Sequence, residues 1–183
     1  MTLRPEHFAD WNLVYGNPDT DSVRATFKGI PSGVVAVAAD VERIPTVMVA
    51  TSFAPGVSFN PPMASFAVQQ QSSTWPRLRG APRLGVSILG TAHRGSVNRL
   101  ASRNAAARFD GLEYTRLPSG AVTLYDSPVW LECEVAAEHP AGDHLLVVLA
   151  ITGSSIAPEY APLIHHNASF GTFQAGKLTD GRS

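Results

Sequence analysis

The chain has 183 residues, of which 44% are hydrophobic and 16% are charged, and its formal net charge is −1. This length suits one domain with a sizeable core and is too short for two ordinary domains. A composition this apolar and this close to neutral argues against a disordered chain and against the strongly basic domain typical of nucleic-acid-binding proteins.

The predicted elements are mainly short strands divided by glycine, proline and serine residues. A helix is predicted near the N-terminus, and the other helices are short stretches after Trp75-Pro76, at 96–102 and at 105–109. The clearest strand signal is at 130–135, where apolar and charged residues alternate with a period of two. In chain order, strands are predicted at 33–39, 46–51, 63–69, 83–89, 130–135 and 145–151. Strands and turns at this spacing indicate a closed, mainly β barrel with small helical additions.

Three features predict a cytoplasmic location. The longest apolar run, Leu145 to Ile151, is far shorter than the roughly 20 residues that a membrane span requires. Residues 1–11 carry charged side chains and lack the apolar core of a secretory signal. Cys133 is the only cysteine, so no intramolecular disulfide can form. Its place on the apolar face of the strand at 130–135 predicts core packing and not reactivity.

Arginine residues are concentrated in one stretch, which contains eight of them and no aspartate or glutamate. The eight are at positions 43, 77, 79, 83, 94, 99, 103 and 108. A local excess of positive charge attracts an anionic partner, and we expect a ligand that carries phosphate. A solvated basic face or a subunit interface is the alternative for any single arginine. Aromatic residues do not alternate with the arginines, so a nucleic-acid-binding surface is the weakest interpretation.

Several familiar motifs are absent from the sequence. It has no G-x-G-x-x-G after a strand, no G-x-x-x-x-G-K-[ST], no G-x-S-x-G and no H-E-x-x-H. His165 and His166 are adjacent, so on a strand they would point to opposite faces and could not bind one metal ion together. No metal site is predicted, and hydrolytic or metal-assisted chemistry has little support.

A hydroxyl-rich segment follows the strand predicted at 63–69. Ser72, Ser73 and Thr74 precede Trp75-Pro76, where Thr74 is a suitable N-cap and proline is tolerated in the first turn of a helix. Hydroxyl groups, free backbone N–H groups and the positive end of a helix can together bind phosphate. Alone, the segment is equally consistent with an ordinary Ser/Thr-rich turn. The arginines on either side of it favour a phosphate site.

Segments from most of the chain resemble the flavin reductase family. The first is Ile30–Val37 (IPSGVVAV), and the second is Thr51-Ser52-Phe53 followed by Val57–Pro62 (VSFNPP). The others are Ser72–Pro76 (SSTWP), Arg108–Gly111 (RFDG), Gly142–His144 (GDH) and Pro162–His166 (PLIHH). Each motif is short, but by their number and order the chain is identified as a member of this family over about residues 23–173.

The resemblance implies a fold, a cofactor and a division of the chain. Members of the family fold as a split β-barrel that binds FMN or FAD. We therefore expect a mainly β, FMN-binding split β-barrel with short peripheral helices at 23–173, between an N-terminal extension (1–22) and a C-terminal tail (174–183). The resemblance also implies a homodimer with the flavin near the subunit interface, and NADH or NADPH as the substrate that donates hydride.

Roles for individual residues are also implied by the resemblance. His144 would face the nicotinamide, and His166 is a second candidate near that face. Phe109 would close the site, and Trp75 belongs to the phosphate-binding segment. The other residues expected to contact the flavin are Val49, Ala50, Thr51 and Ser52 around the isoalloxazine, Ala67 and Val68 beside it, and Ser72, Ser73 and Thr74 at the phosphate.

These expectations favour an NAD(P)H-dependent flavin reductase that supplies reduced flavin to a separate monooxygenase. Hydride transfer between two cofactors demands little acid–base chemistry from the protein, which agrees with the lack of a recognisable catalytic dyad. Two alternatives on a similar barrel stay open. One is a flavin-binding electron carrier without a productive nicotinamide site, and the other is an oxidase or a deazaflavin-dependent reductase.

Overall fold

The computed structural model describes residues 19–174, and β-strands dominate this part of the chain. In chain order the elements are α1 (Thr20–Lys28), β1 (Ser32–Gly33), β2 (Val35–Val41), β3 (Ile44–Ala50), β4 (Ala54–Phe59), β5 (Pro62–Gln69), α2 (Trp75–Leu78), β6 (Leu84–Ile88), α3 (Val97–Leu100), β7 (Tyr114–Arg116), β8 (Val122–Leu124), β9 (Val129–Ala141), β10 (His144–Ile156), β11 (Leu163–His166) and β12 (Ser169–Thr172). No helix within 19–174 is long and apolar enough to cross a membrane.

Helix α1 begins at a conventional N-cap. The carboxylate of Asp19 accepts hydrogen bonds from the backbone N–H groups of Asp21 at 2.9 Å and Ser22 at 3.0 Å, which satisfies donors that the first turn leaves unpaired. Because the helix starts at Thr20, it crosses the boundary predicted after residue 22. Most of the predicted N-terminal extension and nearly all of the predicted tail lie outside the described residues.

Seven strands form one antiparallel sheet in the order β3-β2-β6-β9-β10-β5-β4. The sheet curls, and the region just after β3 reaches β5, although these two strands are not neighbours in the sheet. The hydroxyl of Ser52 accepts a hydrogen bond from the N–H of Ala67 at 2.9 Å and donates one to its carbonyl at 3.1 Å. We call this junction between β3 and β5 the seam. One side chain joins its two sides, in agreement with the predicted split barrel.

Strand β2 is buried on both faces, which explains the unbroken apolar run predicted at 33–39. Its odd-numbered residues face the barrel core, which also contains Phe66 and Trp75 with their rings edge to face at 5.3 Å. The even-numbered residues of 34–38 face a second core, which includes residues of α3 and β8. Side chains on both faces of such a strand are removed from water, so period-two alternation disappears.

The remaining strands form two smaller units. β1, β11 and β12 make a three-stranded sheet, and β7 pairs with β8. The β7–β8 hairpin lies close against β6. A Cβ atom added to Gly85 in β6 would lie 2.0 Å from the carbonyl oxygen of Val122 in β8. Only glycine allows two backbones to approach this closely.

All six predicted strands are present, but two predicted helices are shorter than expected. The stretch at 96–102 forms only the four residues of α3, and the stretch at 105–109 forms a 3₁₀ turn at Ala105–Ala107. The prediction missed six short or irregular strands. β4 is one of them, because it contains Pro55 and Gly56 and its pairing with β5 shifts register between Pro55 and Ser58. Proline and glycine at a bulge hide the alternation that identifies a strand.

The predicted packing of Cys133 is confirmed, because its side chain lies in the barrel core with no exposed surface. Burial, together with the charge of Glu132, raises the pKa of the thiol to about 12.

We expect a thiol reagent at pH 8 to label one group per chain in denaturant and none in the folded protein. Rapid labelling of the folded protein would contradict this burial. Above the ordinary thiol pKa of 9.0 the unfolded chain loses a proton that the folded chain keeps, so stability falls as pH rises.

Candidate cofactor site

A cleft of about 610 Å³ lies at the seam. One wall is the end of β3 with the two residues that follow it (48–52), and the other is the end of β5 (67–69) with part of the next loop (71–73). The side chains of Arg103 and His144 complete the lining. Two strand ends that meet without pairing leave room between them, which explains why the cleft is at this place.

The structure brings most of the predicted flavin-binding residues together in this cleft. Those that line it are Val49, Ala50, Thr51, Ser52, Ala67, Val68, Ser72 and Ser73, and His144 lines it as well. Sequence reasoning did not assign Met48, Gln69, Gln71 and Arg103 to the site, although all four line it. The lining contains no carboxylate, and Arg103 is its only arginine or lysine.

Two predicted site residues have packing positions away from the cleft. Trp75 is 2% exposed in the barrel core, and its indole N–H donates to the carboxylate of Glu138 at 2.5 Å. Phe109 packs against the second core, with its ring 4.7 Å from that of Tyr114. Burial of a large aromatic ring removes a large apolar area from water, so it stabilises the fold. Neither side chain belongs to the cleft lining.

The three consecutive hydroxyl groups of the predicted phosphate segment have three different roles. Ser72 Oγ caps α2, accepting hydrogen bonds from the N–H groups of Trp75 at 3.1 Å and Thr74 at 3.3 Å. Thr74 occupies the N-cap position but makes no side-chain capping bond, contrary to the sequence prediction. Its hydroxyl accepts instead from Arg108 at 3.0 Å. Ser73 Oγ has no hydrogen-bond partner within residues 19–174, so it is the hydroxyl left free for a ligand.

Arg108 is a buried cation behind this segment. Only 9% of its surface is exposed, and its guanidinium also donates to the carbonyl of Ser102 at 2.8 Å and that of Val47 at 2.6 Å. Burial lowers the pKa of Arg108, and the like charge of Arg77 lowers it further. An arginine nevertheless stays protonated at neutral pH. Arg108 therefore fixes the hydroxyl segment to β3 and places a positive charge next to Thr74.

Most arginines of the basic stretch have no acidic partner. Arg79 pairs with Glu138 at 2.9 Å, and Arg83 pairs with Glu134 at 2.6 Å. The other six form no ion pair within the described part of the chain. Charges left unpaired in a folded protein raise the local potential for an anion. This result supports the predicted phosphate ligand, and Arg103 brings one such charge into the cleft itself.

His144 begins β10, directly after the turn at Gly142 and Asp143. Its Nδ1 lies 2.7 Å from the carboxylate of Asp143. This hydrogen bond, and then the charge of His144, lowers the pKa of Asp143, so the carboxylate is ionised near neutral pH and can only accept. Nδ1 therefore carries the proton, and Nε2 is the ring nitrogen left free. The pair gives the imidazole a defined orientation at the cleft.

The structure separates the two predicted catalytic histidines. His166 is exposed on β11 and lines a second cleft of about 390 Å³, which His144 does not line. His165 next to it packs its ring 5.4 Å from that of Phe170. The seam cleft thus contains His144 alone, and a role for His166 stays a prediction.

The residues of the seam cleft fit a flavin mononucleotide. β3 is an edge strand, so part of its backbone can bond to a flat ring, while Val49 and Val68 offer apolar contact. The free hydroxyl of Ser73 and the guanidinium of Arg103 suit a phosphate group. His144 lies on the hairpin at the rim and leaves Nε2 unused.

Comparison with known proteins agrees with this geometry. The sequence model described as "Flavin reductase like domain" matches residues 27–174. A flavin reductase from Pseudomonas putida is 29% identical over 158 residues, covering 86% of this chain and 92% of the relative. An NADH:FMN oxidoreductase from Rhodococcus qingshengii is 32% identical over 152 residues, covering 80% of this chain and 78% of the relative. The crystal structure of a nitrilotriacetate monooxygenase component B homolog from Mycobacterium thermoresistibile superposes with a TM-score of 0.81 at 24% identity, covering 89% and 91% of the two chains. The chain belongs to the flavin reductase family.

Proposed function

We propose that the protein transfers hydride from NADH or NADPH to FMN held in the seam cleft, with FAD as the alternative flavin. The observation that carries this proposal is the composition of one cleft: an arginine, an unpaired serine hydroxyl, the edge strand β3 and an oriented histidine. The name of the Rhodococcus relative, NADH:FMN oxidoreductase, supports both substrates. Flavin reduction is also the activity for which the family is named.

The work of the protein in this reaction is binding and orientation. A bound flavin would supply the ring that accepts hydride. Ser73 and Arg103 would hold its phosphate, and the walls at 48–52 and 67–69 would hold the ring flat and exclude water from one face. His144 would donate or accept one hydrogen bond through Nε2 to place the nicotinamide. Such positioning accelerates the transfer without a protein acid or base.

Reduced flavin is proposed to pass to a separate monooxygenase. The name of the Mycobacterium structure, a monooxygenase component B homolog, supports a partner of this kind. We also propose a homodimer. Phe27, Ile30 and Phe173 lie next to the small β1-β11-β12 sheet in sequence and are each at least 60% exposed, and apolar side chains exposed to this extent favour a covered surface. The cytoplasmic location stays a prediction from the sequence.

Steady-state oxidation of NADH and NADPH with added FMN tests the proposal. We expect His144→Ala to leave the Kd for FMN nearly unchanged, because the predicted flavin contacts lie elsewhere. Lost positioning should lower kcat or raise the KM for the nicotinamide by about ten- to hundredfold, the equivalent of about 1–3 kcal/mol. The effect should not follow a histidine titration, since no proton transfer is required of His144.

A matched control is His139→Ala, an exposed histidine on the same β9–β10 hairpin that does not line the cleft. Its kinetics should equal those of the unaltered protein. If the unaltered protein oxidises neither nucleotide with any flavin, that result favours the electron-carrier alternative. If it is active and His144→Ala has no effect, the nicotinamide binds elsewhere and His166 is tested next.

A further inference from the structure

Gln70 donates hydrogen bonds to the turn that carries His144. Its backbone N–H donates to the carbonyl of Asp143 at 3.0 Å. Its side-chain amide donates to the carbonyl of Gly142 at 3.0 Å and to that of His144 at 3.4 Å. Three consecutive carbonyl groups of the turn therefore accept hydrogen bonds from a residue more than 70 positions earlier in the chain.

Within residues 19–174, no other residue outside the β9–β10 hairpin donates a hydrogen bond to Gly142 or Asp143. The β5–β10 ladder ends at the pair Gln69–His144, and the β9–β10 ladder ends at Ala141–His144, so Gly142 and Asp143 lie beyond both. Gly142 has a φ of +61°, and a Cβ added there would meet nothing within 4 Å. Apart from bonds inside the β9–β10 hairpin, every hydrogen bond to these residues from the described chain comes from Gln70. A turn without packing depends on its hydrogen bonds for a fixed position.

The chemistry of a carboxamide suits this task. The NH₂ group has two donors, and both of its partners here are carbonyl oxygens. A carboxylate has no donor and would repel the same two carbonyl groups. Gln70 also stands between Gln69 and Gln71, which both line the cleft. Gln69 and Gln71 thus line the cleft, while Gln70 between them holds the His144 turn with its side-chain amide.

We propose that Gln70 is a positioning residue for the hydride donor, which rests on the proposed function. Its amide fixes the Gly142–Asp143–His144 turn so that the imidazole faces the cleft, and it does so without contacting either substrate. Loss of this amide leaves the flavin contacts in place and frees the turn. The KM for the nicotinamide substrate then rises, and the Kd for the flavin does not change.

Two variants test this proposal. Gln70→Met keeps the size of the side chain and removes both donors, and Gln70→Glu replaces them with acceptors. We expect the KM for NADH to rise about three- to tenfold in Gln70→Met, as for the loss of one or two exposed hydrogen bonds, and at least as much in Gln70→Glu. The Kd for FMN should stay within about twofold of the original value, because a neutral exposed change reaches no flavin contact.

A second readout does not depend on activity. Amide hydrogen exchange of residues 142–144 should become about three- to tenfold faster in Gln70→Met, since exchange reports local opening. The control is Thr152→Val, which removes another exposed bond between a side chain and a carbonyl on the same hairpin, from Thr152 Oγ1 to Glu132 at 3.1 Å. This control should change neither the KM nor the exchange at 142–144.

The outcomes separate this proposal from the proposed function. An unaltered KM and unaltered exchange in both Gln70 variants would overturn it, as would an equal effect of Thr152→Val. Loss of FMN binding in Gln70→Met would also overturn it, by showing that the residue supports the flavin. If the original protein oxidises no NADH, the proposed function fails, and the exchange measurement still shows whether Gln70 holds the turn.

Discussion

Replacing Gly85 with alanine is expected to prevent stable folding. The added Cβ would lie 2.0 Å from the carbonyl oxygen of Val122 and 2.6 Å from its carbonyl carbon, distances that real Cβ atoms essentially never show. Both contacts are with backbone, so relief requires β6 and β8 to separate. Forcing extra atoms into a packed core costs about 1–3 kcal/mol where side chains can move, and a backbone collision costs more. Denaturant unfolding should show a loss above about 3 kcal/mol, or no folded protein, against a total of about 5–15 kcal/mol.

Gly95→Ala is the control for this variant. A Cβ at Gly95 would meet nothing within 4 Å, and its φ is not in the left-handed region. Its stability should stay within about 1 kcal/mol of the original value. If Gly85→Ala unfolds at the same denaturant concentration as the original chain, β6 and β8 do not approach as closely as described.

The second large effect is expected from two lining residues of the cleft, Ser73 and Arg103. Combining Ser73→Ala with Arg103→Gln removes the unpaired hydroxyl of the 72–74 segment and the only arginine or lysine of the lining. Each charge-assisted hydrogen bond contributes about 1.5–3 kcal/mol, partly offset by water. Affinity for FMN should therefore fall about ten- to hundredfold, measured by fluorescence titration. Riboflavin lacks the phosphate, so its affinity should change little.

Ser72 and Thr74 are kept in this variant because their hydroxyl groups cap α2 and accept from Arg108, and their loss would also disturb the loop. Arg94→Gln is the matched control, since it removes one exposed, unpaired charge outside the cleft. It should alter FMN affinity by less than about threefold, because solvent and salt screen a distant charge. Equal losses of FMN and riboflavin would show that the phosphate does not bind at Ser73 and Arg103.

Much of the fold could be predicted because burial leaves a local pattern in the sequence. β2 is a continuous apolar run because both of its faces are covered, and β9 alternates where only one face is covered. β4 could not be found in this way. Its burial is low along its length, and Pro55 and Gly56 occupy a register shift. This edge strand buries little, so apolar periodicity does not mark it.

The candidate site, too, could be predicted from the sequence only in part. Eight of the residues that the resemblance assigned to the flavin line the cleft. They could be found because short motifs at strand ends keep their order along the chain. It did not show which hydroxyl is free, since that depends on Arg108, which is 34 residues from Thr74 in the chain. Nor did composition single out Arg103 among eight arginines. Contacts between distant segments decide these questions, and no local pattern records them.

The seam has a consequence for the relation between folding and ligand binding. β3 is an edge of the seven-stranded sheet, and across the seam Ser52 is the one residue of 19–174 seen to bond to β5. Where a further strand would complete the barrel, there is a cleft with unpaired backbone groups along one wall. A flat heterocycle with donors and acceptors around its rim can take the place of that missing strand. Because such a ligand binds the folded chain and not the unfolded one, we expect its binding to stabilise the fold.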